Sequence, residues 1–193
     1  MYKRQHFFAL LCKIEELFPG IPTVCLTNGR KFQNVKYARK ILSTDANLEI
    51  AISLHASKQD VHEKITGVKG SFKETLKGIE NVYKFKKKSH KIEIRIVIHA
   101  LNYKLLEDTV GFIHDRFPYI DRLVLIFFEI EGQAEKNFKV LKLRYSQVSP
   151  YIQRLFHFFT MFREVRLYHF PLCAVPPLFY PVSYTHLTLP TKA

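Results

Sequence analysis

Apolar and polar residues alternate along the chain with two different periods. Apolar side chains at helical spacing from Lys3 to Phe18 predict a first helix, which Pro19-Gly20 would end. Shorter and nearly continuous apolar runs predict buried strands, and stretches with helical spacing separate them. The predicted strands are Thr23–Thr27, Leu48–Leu54, Lys91–His99, Arg122–Phe128 and Glu164–His169. The predicted helices between them are 34–42, 71–85, 105–117 and 148–161, and the polar stretch 129–145 fits neither pattern.

Strands that alternate with helices in this way predict an α/β fold. The strands are apolar on both faces, which is typical of a parallel sheet covered by helices, with right-handed crossovers. Two arrangements stay open at this point, a doubly wound sheet and a whole or partial (β/α) barrel of the TIM type. Five strand–helix units are too few for a closed eight-unit barrel, which takes at least about 200 residues.

Composition places the chain among single-domain globular proteins. Its 193 residues suffice for one hydrophobic core, and no linker-like segment interrupts the pattern. Three widely spaced cysteines argue against a disulfide framework and suit a reducing compartment. The sequence shows neither a signal-peptide core nor an apolar run long enough to cross a bilayer. We therefore expect a cytoplasmic protein that has no membrane partner.

The net charge of +13 raises the question of an acidic partner such as nucleic acid. Much of the excess comes from the run Lys84–Lys91, which would lie at the C-terminus of a helix. Cations at that end complement the helix dipole. A solvated helix end is therefore the favoured interpretation of this run, ahead of a nucleic-acid surface.

Polar residues follow four of the predicted strands, at the edge where parallel α/β folds bind ligands. Segment 50–72 is the most informative, because its strand ends in Ser53 and His55 and its polar loop holds His62. Ser71, with Glu74 three residues later, predicts a capping box at the start of the next helix. The other strand ends carry Thr27-Asn28-Gly29, His99 with Asn102, and Glu129 with Glu131-Gly132. Together they predict a ligand site, although each group alone also fits an ordinary turn or a structural histidine.

Several well-known motifs do not occur in the sequence. The phosphate-binding patterns GxxxxGK[ST] and GxGxxG are missing, and so are the metal-binding patterns HExxH and CxxC. A GxSxG nucleophile turn is missing too, which disfavours a hydrolase of the α/β type.

Four segments carry a resemblance to a known family. They are Leu26–Arg30 (LTNGR), Ala51–His55 (AISLH), Val61–Val82 (VHEKITGVKGSFKETLKGIENV) and Arg95–Asn102 (RIVIHALN). In this order they resemble the radical S-adenosylmethionine (radical SAM) enzymes, and most closely the maturase-like members that modify peptides or proteins. The stretch HEKITGVKGSFKETLKGI resembles a pattern fairly specific to these proteins, with Glu63 where aspartate is usual. The likeness runs from about Tyr2 to Pro177 and implies a partial (β/α) TIM-type barrel with outer helices.

The resemblance implies that S-adenosylmethionine binds at the strand ends. Thr27 and Asn28 would lie near its methionine part, and Ser53 would contact its ribose or carboxylate. The implied activity is reductive cleavage of S-adenosylmethionine, followed by hydrogen abstraction from a peptide, protein or small substrate. In the family this chemistry also requires a [4Fe–4S] cluster.

Other implied positions follow the later strands. Asn102 would face the cofactor, and Glu129 would lie near the adenine. His55 stands where many relatives carry aspartate, so its role stays open. Cys173 resembles a cysteine that some relatives use for an auxiliary cluster, but a buried structural thiol is the favoured interpretation.

The chain departs from the family in the two motifs that carry the chemistry. It lacks the three closely spaced cysteines that hold the cluster and the Gly-Gly-Glu-Pro loop that binds the cofactor's amino group. Cys12 and Cys25 fall within a predicted helix and a predicted strand, where they are not placed to ligate a cluster. We therefore expect residues 1–177 to form about strands three to six of the barrel and the start of its C-terminal extension, truncated at the N-terminus and inactive alone.

The last residues carry a separate expectation. Val182–Thr191 reads VSYTHLTLPT, which matches an in-frame translation of a sequencing adapter. Residues 178–193 are therefore expected to be a non-native or disordered tail. The alternative to the enzyme hypothesis is a non-enzymatic, basic α/β module that binds nucleic acid or an acidic partner. The coding sequence upstream of Met1 distinguishes the two hypotheses.

Overall fold

The computed structural model describes residues 6–177 and the backbone of Ser183 and Tyr184. Its strands are β1 Pro22–Thr27, β2 Asn47–Ser53, β3 Lys91–Ile98, β4 Arg122–Phe127, β5 Val165–Tyr168 and β6 Ser183–Tyr184. Its helices are α1 Phe7–Leu17, α2 Val35–Leu42, α3 Gln59–Thr66, α4 Ser71–Phe85, α5 Leu106–Arg116, α6 Gln133–Lys136, α7 Phe138–Leu141, α8 Tyr145–Arg154 and α9 Phe156–Phe159. Short 3-10 helices span Arg30–Gln33, Tyr103–Leu105 and Leu172–Ala174.

The strands form one parallel sheet in the order in which they occur along the chain, from β1 to β6. This confirms the predicted α/β class with a parallel sheet. A doubly wound sheet reverses its strand order at a switch point, and no reversal occurs among the described strands. Since crossovers between parallel strands are right-handed, consecutive connections place their helices on the same face of the sheet.

The helix-covered face of the sheet forms the hydrophobic core. Alternate residues of β2, β3 and β4 point toward it and are fully buried, as are apolar residues of α4 and α5. The buried strand residues include Leu48, Ile50, Ile52, Ile92, Ile94, Ile96, Leu123 and Leu125. Burial of each such side chain is worth about 1.5–3 kcal/mol, so this layer dominates the stability of the fold.

One close backbone contact joins α4 to the turn that follows β1. Gly78 lies in the middle of α4, and a Cβ atom added there would stand 2.2 Å from the carbonyl oxygen of Gly29. Gly29 itself has a φ of 74°, a backbone conformation that favours glycine. The two glycines therefore let the β1 turn rest directly on the helix.

The opposite face of the sheet carries the other set of alternating residues. On β1 these are Val24 and Leu26, which are 50% and 58% exposed at the edge of the sheet. On the inner strands the same face holds Ala51 and Glu93, each only 1% exposed. Charged residues therefore lie within the sheet on this face, and their pairing is described below.

The predicted elements are present with shifts of a few residues at their ends, but three local predictions were wrong. The polar loop after β2 contains α3, which ends at Gly67 in the left-handed conformation. The predicted helix 148–161 is divided into α8 and α9, and α6 and α7 occupy the unassigned stretch 129–145. The capping box at Ser71 does not form: the N-cap is Gly70, and Glu74 pairs with Arg30 instead.

The predicted tail falls mostly outside the described residues. Within it, the backbone of Ser183 and Tyr184 pairs in parallel with Leu167 and Tyr168 of β5. In the part of the chain that is described, no helix combines the length and the apolar character needed to cross a bilayer.

Candidate functional site

The sequence-predicted site residues lie where the strands end, at an edge that we call the carboxyl rim. It consists of the last residues of β1 and β2 together with residues that follow β1 to β4: 27–30, 53–55, 99–102 and 129–132. Because the strands are parallel and adjacent, their C-terminal ends come together at this one edge. Thr27, Asn28, Ser53, His55 and Asn102 thus lie on three neighbouring strand ends.

The part of the rim after β1 is a tight turn anchored on α4. The Thr27 hydroxyl accepts the N–H of Gly29 at 3.1 Å, and Asn28 Oδ1 accepts the N–H of Arg30 at 3.2 Å. The Asn28 carbonyl accepts the hydroxyl of Thr75 at 3.0 Å, which ties the turn to the helix. Thr27 and the Asn28 oxygen therefore shape the turn, while Asn28 stays exposed to solvent.

Asn102 joins the ends of β2 and β3. Its Nδ2 donates to the carbonyl oxygens of His55 and Val97, each at 2.9 Å, and its Oδ1 accepts the N–H of His99 at 2.9 Å. The residue is 2% exposed. Both amide hydrogens are used in these bonds, so Asn102 holds the rim together, and contact with a cofactor stays a prediction for this residue.

Three histidines line the rim between β2 and β3, and two of them accept backbone hydrogen bonds. His62 Nδ1, brought in by α3, accepts the N–H of His55 at 3.2 Å, and His99 Nδ1 accepts the N–H of Leu101 at 3.2 Å. Each of these rings therefore carries its proton on Nε2 when neutral. The His55 and His62 rings lie against each other, with centroids 5.7 Å apart.

The histidines of the rim are uncharged at neutral pH. Burial lowers the pKa of His62 and of His99 to about 4. Burial, and then the proximity of His62 and His99, lowers the pKa of His55 to about 3. His55 Nδ1 and His62 Nε2 are buried and have no hydrogen-bond partner among the described residues. The rim thus presents neutral groups that are able to hydrogen-bond a ligand.

Ser53 and Glu129 occupy different surroundings. The Ser53 hydroxyl is half-buried at the end of β2 and makes no hydrogen bond within residues 6–177. Glu129 is exposed after β4, and its Oε1 lies 3.0 Å from Nδ1 of His169, a residue with a φ of 61°. The end of β3 separates the two residues. Among the predicted residues, Ser53 therefore joins His55 in having hydrogen-bonding capacity to spare within the described part of the chain.

The residues described do not fit an iron–sulfur cluster. Cys12 is exposed on α1, Cys25 lies within β1, and Cys173 is exposed in a 3-10 helix. Cys173 is thus not the buried thiol that was expected. No group of three or more histidine, cysteine or acidic side chains in the described part of the chain could hold a metal ion.

A buried ion-pair network at the other end of the strands was not predicted. Arg122, the first residue of β4, pairs with Glu49 of β2, with Glu93 of β3 at 2.8 Å and with Glu164 at 2.9 Å. Arg95 also pairs with Glu93. Burial and the neighbouring Glu93 carboxylate raise the pKa of Glu49 to about 7. The signal in the sequence was the alternation of charged residues with isoleucine in KIEIRI.

This network borders a cleft of about 500 Å³, lined by Glu49, Lys91, Asp121, Arg122, Arg163 and Glu164. A second cleft, of about 320 Å³, includes Tyr119 and Asp121, just before β4. Both clefts lie at the amino ends of the strands, away from the carboxyl rim. The carboxylates of the network are already paired with Arg122, Arg95 and Arg166. Parallel sheets bind ligands at the other edge, so we assign the clefts no ligand.

Comparison with known proteins adds no relative. No protein-family model matches the chain, and no curated protein matches it. The likeness of its segments to radical SAM enzymes therefore remains a resemblance in sequence.

Proposed function

We propose that the chain forms part of a radical SAM enzyme and binds S-adenosylmethionine at the carboxyl rim. The supporting observation is the gathering of polar groups from three adjacent strand ends, with Ser53 and the buried atoms His55 Nδ1 and His62 Nε2 lacking partners among the described residues. Buried polar atoms in native proteins are nearly always satisfied. A polar ligand at the rim would supply the missing partners.

The sheet is proposed to be an arc of a (β/α) barrel. Its strands are parallel and sequential, as they are in a barrel. The half-exposed side chains of Val24 and Leu26 at the β1 edge are consistent with an arc whose inner face meets further barrel strands. Residues 1–177 would then correspond to about strands three to six and the start of a C-terminal extension.

Ser53 would bind the ribose or the carboxylate of S-adenosylmethionine through its hydroxyl. His55 would offer Nδ1 to the same ligand, while His62 and Asn102 keep the His55 backbone in place. Glu129 would lie toward the adenine. When bound in such enzymes, the cofactor supplies the radical that abstracts hydrogen from a peptide, protein or small substrate.

The proposal includes no chemical step for this chain alone, since its cysteines do not fit the [4Fe–4S] cluster. The cluster would have to be held by residues outside the described part. A cytoplasmic location belongs to the proposal, because the three widely spaced cysteines form no disulfide within the described residues and suit a reducing compartment.

Isothermal titration with S-adenosylmethionine tests the binding proposal. We expect saturable binding that adenosine competes away, and a Kd about three- to tenfold weaker for Ser53→Ala, the loss of one hydrogen bond. The matched control is Ser89→Ala, which removes an exposed hydroxyl distant from the rim. Absence of saturation at millimolar ligand, or an equal effect of both substitutions, contradicts the proposal.

A further inference from the structure

The positive charge of the chain is concentrated in two segments without acidic residues. Residues 17–44 and 81–92 contain no aspartate or glutamate, and each contains five lysines and arginines. The first segment ends with α2, and the second includes the C-terminal end of α4 and the lysine run after it. Taken singly, the lysine run suggested only a solvated helix end.

The fold places these two segments side by side. Asn81 Nδ2 of α4 donates to the carbonyl oxygens of Phe32 and Gln33, at 2.9 and 3.0 Å. Lys87 Nζ donates to the carbonyl of Ser43, at the end of α2, at 2.7 Å. The contacts create one surface, here called the basic face. It consists of the exposed cations Lys31, Lys36, Arg39, Lys40, Lys84 and Lys88.

The cations of the basic face lack acidic partners within the described residues. Nearby carboxylates are already paired: Asp45 with Lys87, Glu74 with Arg30, and Glu80 with Lys77 and Arg116. None of the six cations forms a salt bridge there. Their positive potential is therefore not cancelled locally, which is the condition for attracting a polyanion.

Aromatic rings lie beneath several of these cations. The Arg39 guanidinium lies 4.9 Å from the centroid of Phe85, and Lys84 Nζ lies 5.6 Å from it. Lys40 Nζ is 5.2 Å from the ring of Phe8. These cation–π contacts favour the observed positions of Arg39, Lys40 and Lys84, so the aromatic rings help to hold the charges of the basic face in place.

We propose that the basic face binds nucleic acid through its phosphate groups, without reading the bases. A protein partner would require an apolar interface core depleted of charge, whereas a phosphate backbone requires only spaced cations. Five of its six cations lie on α2 and near the C-terminal end of α4, whereas Lys31 directly follows the carboxyl rim. The phosphate-binding activity does not use the polar groups of the proposed cofactor site.

Fluorescence anisotropy with a labelled 20-base-pair duplex of mixed sequence tests the proposal across a range of salt concentrations. If six cations contact phosphates, log Kobs should fall with log[salt] with a slope of about −5. The triple variant K36E/R39E/K40E should bind at least about 100-fold more weakly at 50 mM salt, with the slope reduced by about 3. A duplex of different sequence should bind equally well.

The control variant K136E/K139E/K142E changes the net charge equally, at three exposed lysines of the α6–α7 region. It should retain binding within about fivefold, because its lysines do not belong to the basic face. K84E/K88E should weaken binding independently of the α2 variant. Circular dichroism verifies that each variant is folded. If K36E/R39E/K40E is unfolded, the affinity of K84E/K88E for the duplex tests the proposal instead.

Three results overturn the proposal. The first is an equal loss of affinity in the control and in the basic-face variants. The second is competition by poly-glutamate as effective as competition by unlabelled duplex, which assigns the face to an acidic protein. The third is retention on phosphatidylserine vesicles with no binding to the duplex, which assigns it to a membrane surface. Titration with S-adenosylmethionine should be unaffected by any of these variants.

Discussion

Substitution of Gly78 by alanine tests how the turn after β1 is positioned. Alanine in a helix interior is favoured over glycine by about 1 kcal/mol. The new Cβ would stand 2.2 Å from the carbonyl oxygen of Gly29 and 3.0 Å from its carbonyl carbon. Both groups belong to the backbone, so the turn or α4 must move by about 1 Å to reach an ordinary contact.

The expected net effect is destabilisation. Overpacking of this kind costs about 1–3 kcal/mol or more. The cost should lie toward the upper end of this range, because the neighbouring atoms belong to the backbone and cannot rotate away. The gain in helix propensity offsets part of this cost, so Gly78→Ala should lower the free energy of unfolding by about 1–2 kcal/mol. For a chain of this size the change corresponds to a fall in Tm of roughly 2–8 °C.

Gly111→Ala is the matched control, since Gly111 also lies within a helix, α5. The nearest atom to its added Cβ is Cζ of Phe158, at 3.2 Å, the far end of a side chain that can move. This variant should be neutral or more stable by up to about 1 kcal/mol. Urea unfolding of both variants measures the difference. Equal stability of the two, or a more stable Gly78→Ala variant, would refute the argument from backbone contact.

Three further predictions concern charge and metal. Arg122→Met should reduce the free energy of unfolding by about 3–5 kcal/mol in urea titrations, because Glu93 and Glu49 lose their shared partner inside the sheet. Arg163→Met, which removes an 80% exposed side chain from its ion pair with Asp121, should change it by less than about 1 kcal/mol; similar losses would contradict the network. The folded-state pKa values of His55, His62 and His99 lie below 6.5, so unfolding takes up protons between pH 6.5 and about 4, and for His55 down to about pH 3. The contribution of these histidines to the free energy of unfolding is complete above pH 6.5 and is lost as the pH falls through this range. Glu49 has a raised pKa, so its contribution changes with pH in the opposite direction. His62→Gln keeps an acceptor for the His55 N–H and should reduce the pH slope by up to about 1.4 kcal/mol per pH unit; an unchanged slope would mean that His62 does not titrate as described. After anaerobic reconstitution with iron and sulfide, the chain should show no stoichiometric absorbance near 400 nm, because its three cysteines are dispersed. Cluster uptake at one per chain would overturn that reasoning.

The sequence was informative about elements whose apolar residues recur regularly. The run RLVLIFF at 122–128 predicted β4 because nearly every side chain in it is buried, and the stripe of 71–85 predicted α4 to the residue. Helix α3 was missed because the side chain it buries most completely is His62, a polar type that a hydrophobic pattern does not register. Hydrophobic periodicity therefore predicted the elements correctly where the buried side chains are also hydrophobic.

Pairings between distant segments could not be predicted from the sequence. The hydrogen bond from the Asn102 amide to the carbonyl of His55, 47 residues earlier, was not predicted. The partners of Arg122 depend on strand register, which aligns it with Glu93. The local sequence predicts Ser71 as the N-cap of α4, but the N-cap is Gly70, in the left-handed conformation. The hydroxyl of Ser71 instead forms a hydrogen bond with the hydroxyl of Thr66. For Asn102 and Arg122 the contacts that could not be predicted join residues far apart in the sequence.

The sequential strand order has a consequence for synthesis on the ribosome. Each described strand pairs with the strand that follows it in the chain, so no pairing must wait for a segment made much later. Each new strand can dock on the edge left by the previous one, and its helix then covers the same face. The sheet can therefore grow from β1 onward as the nascent chain emerges, with only one exposed growing edge at a time.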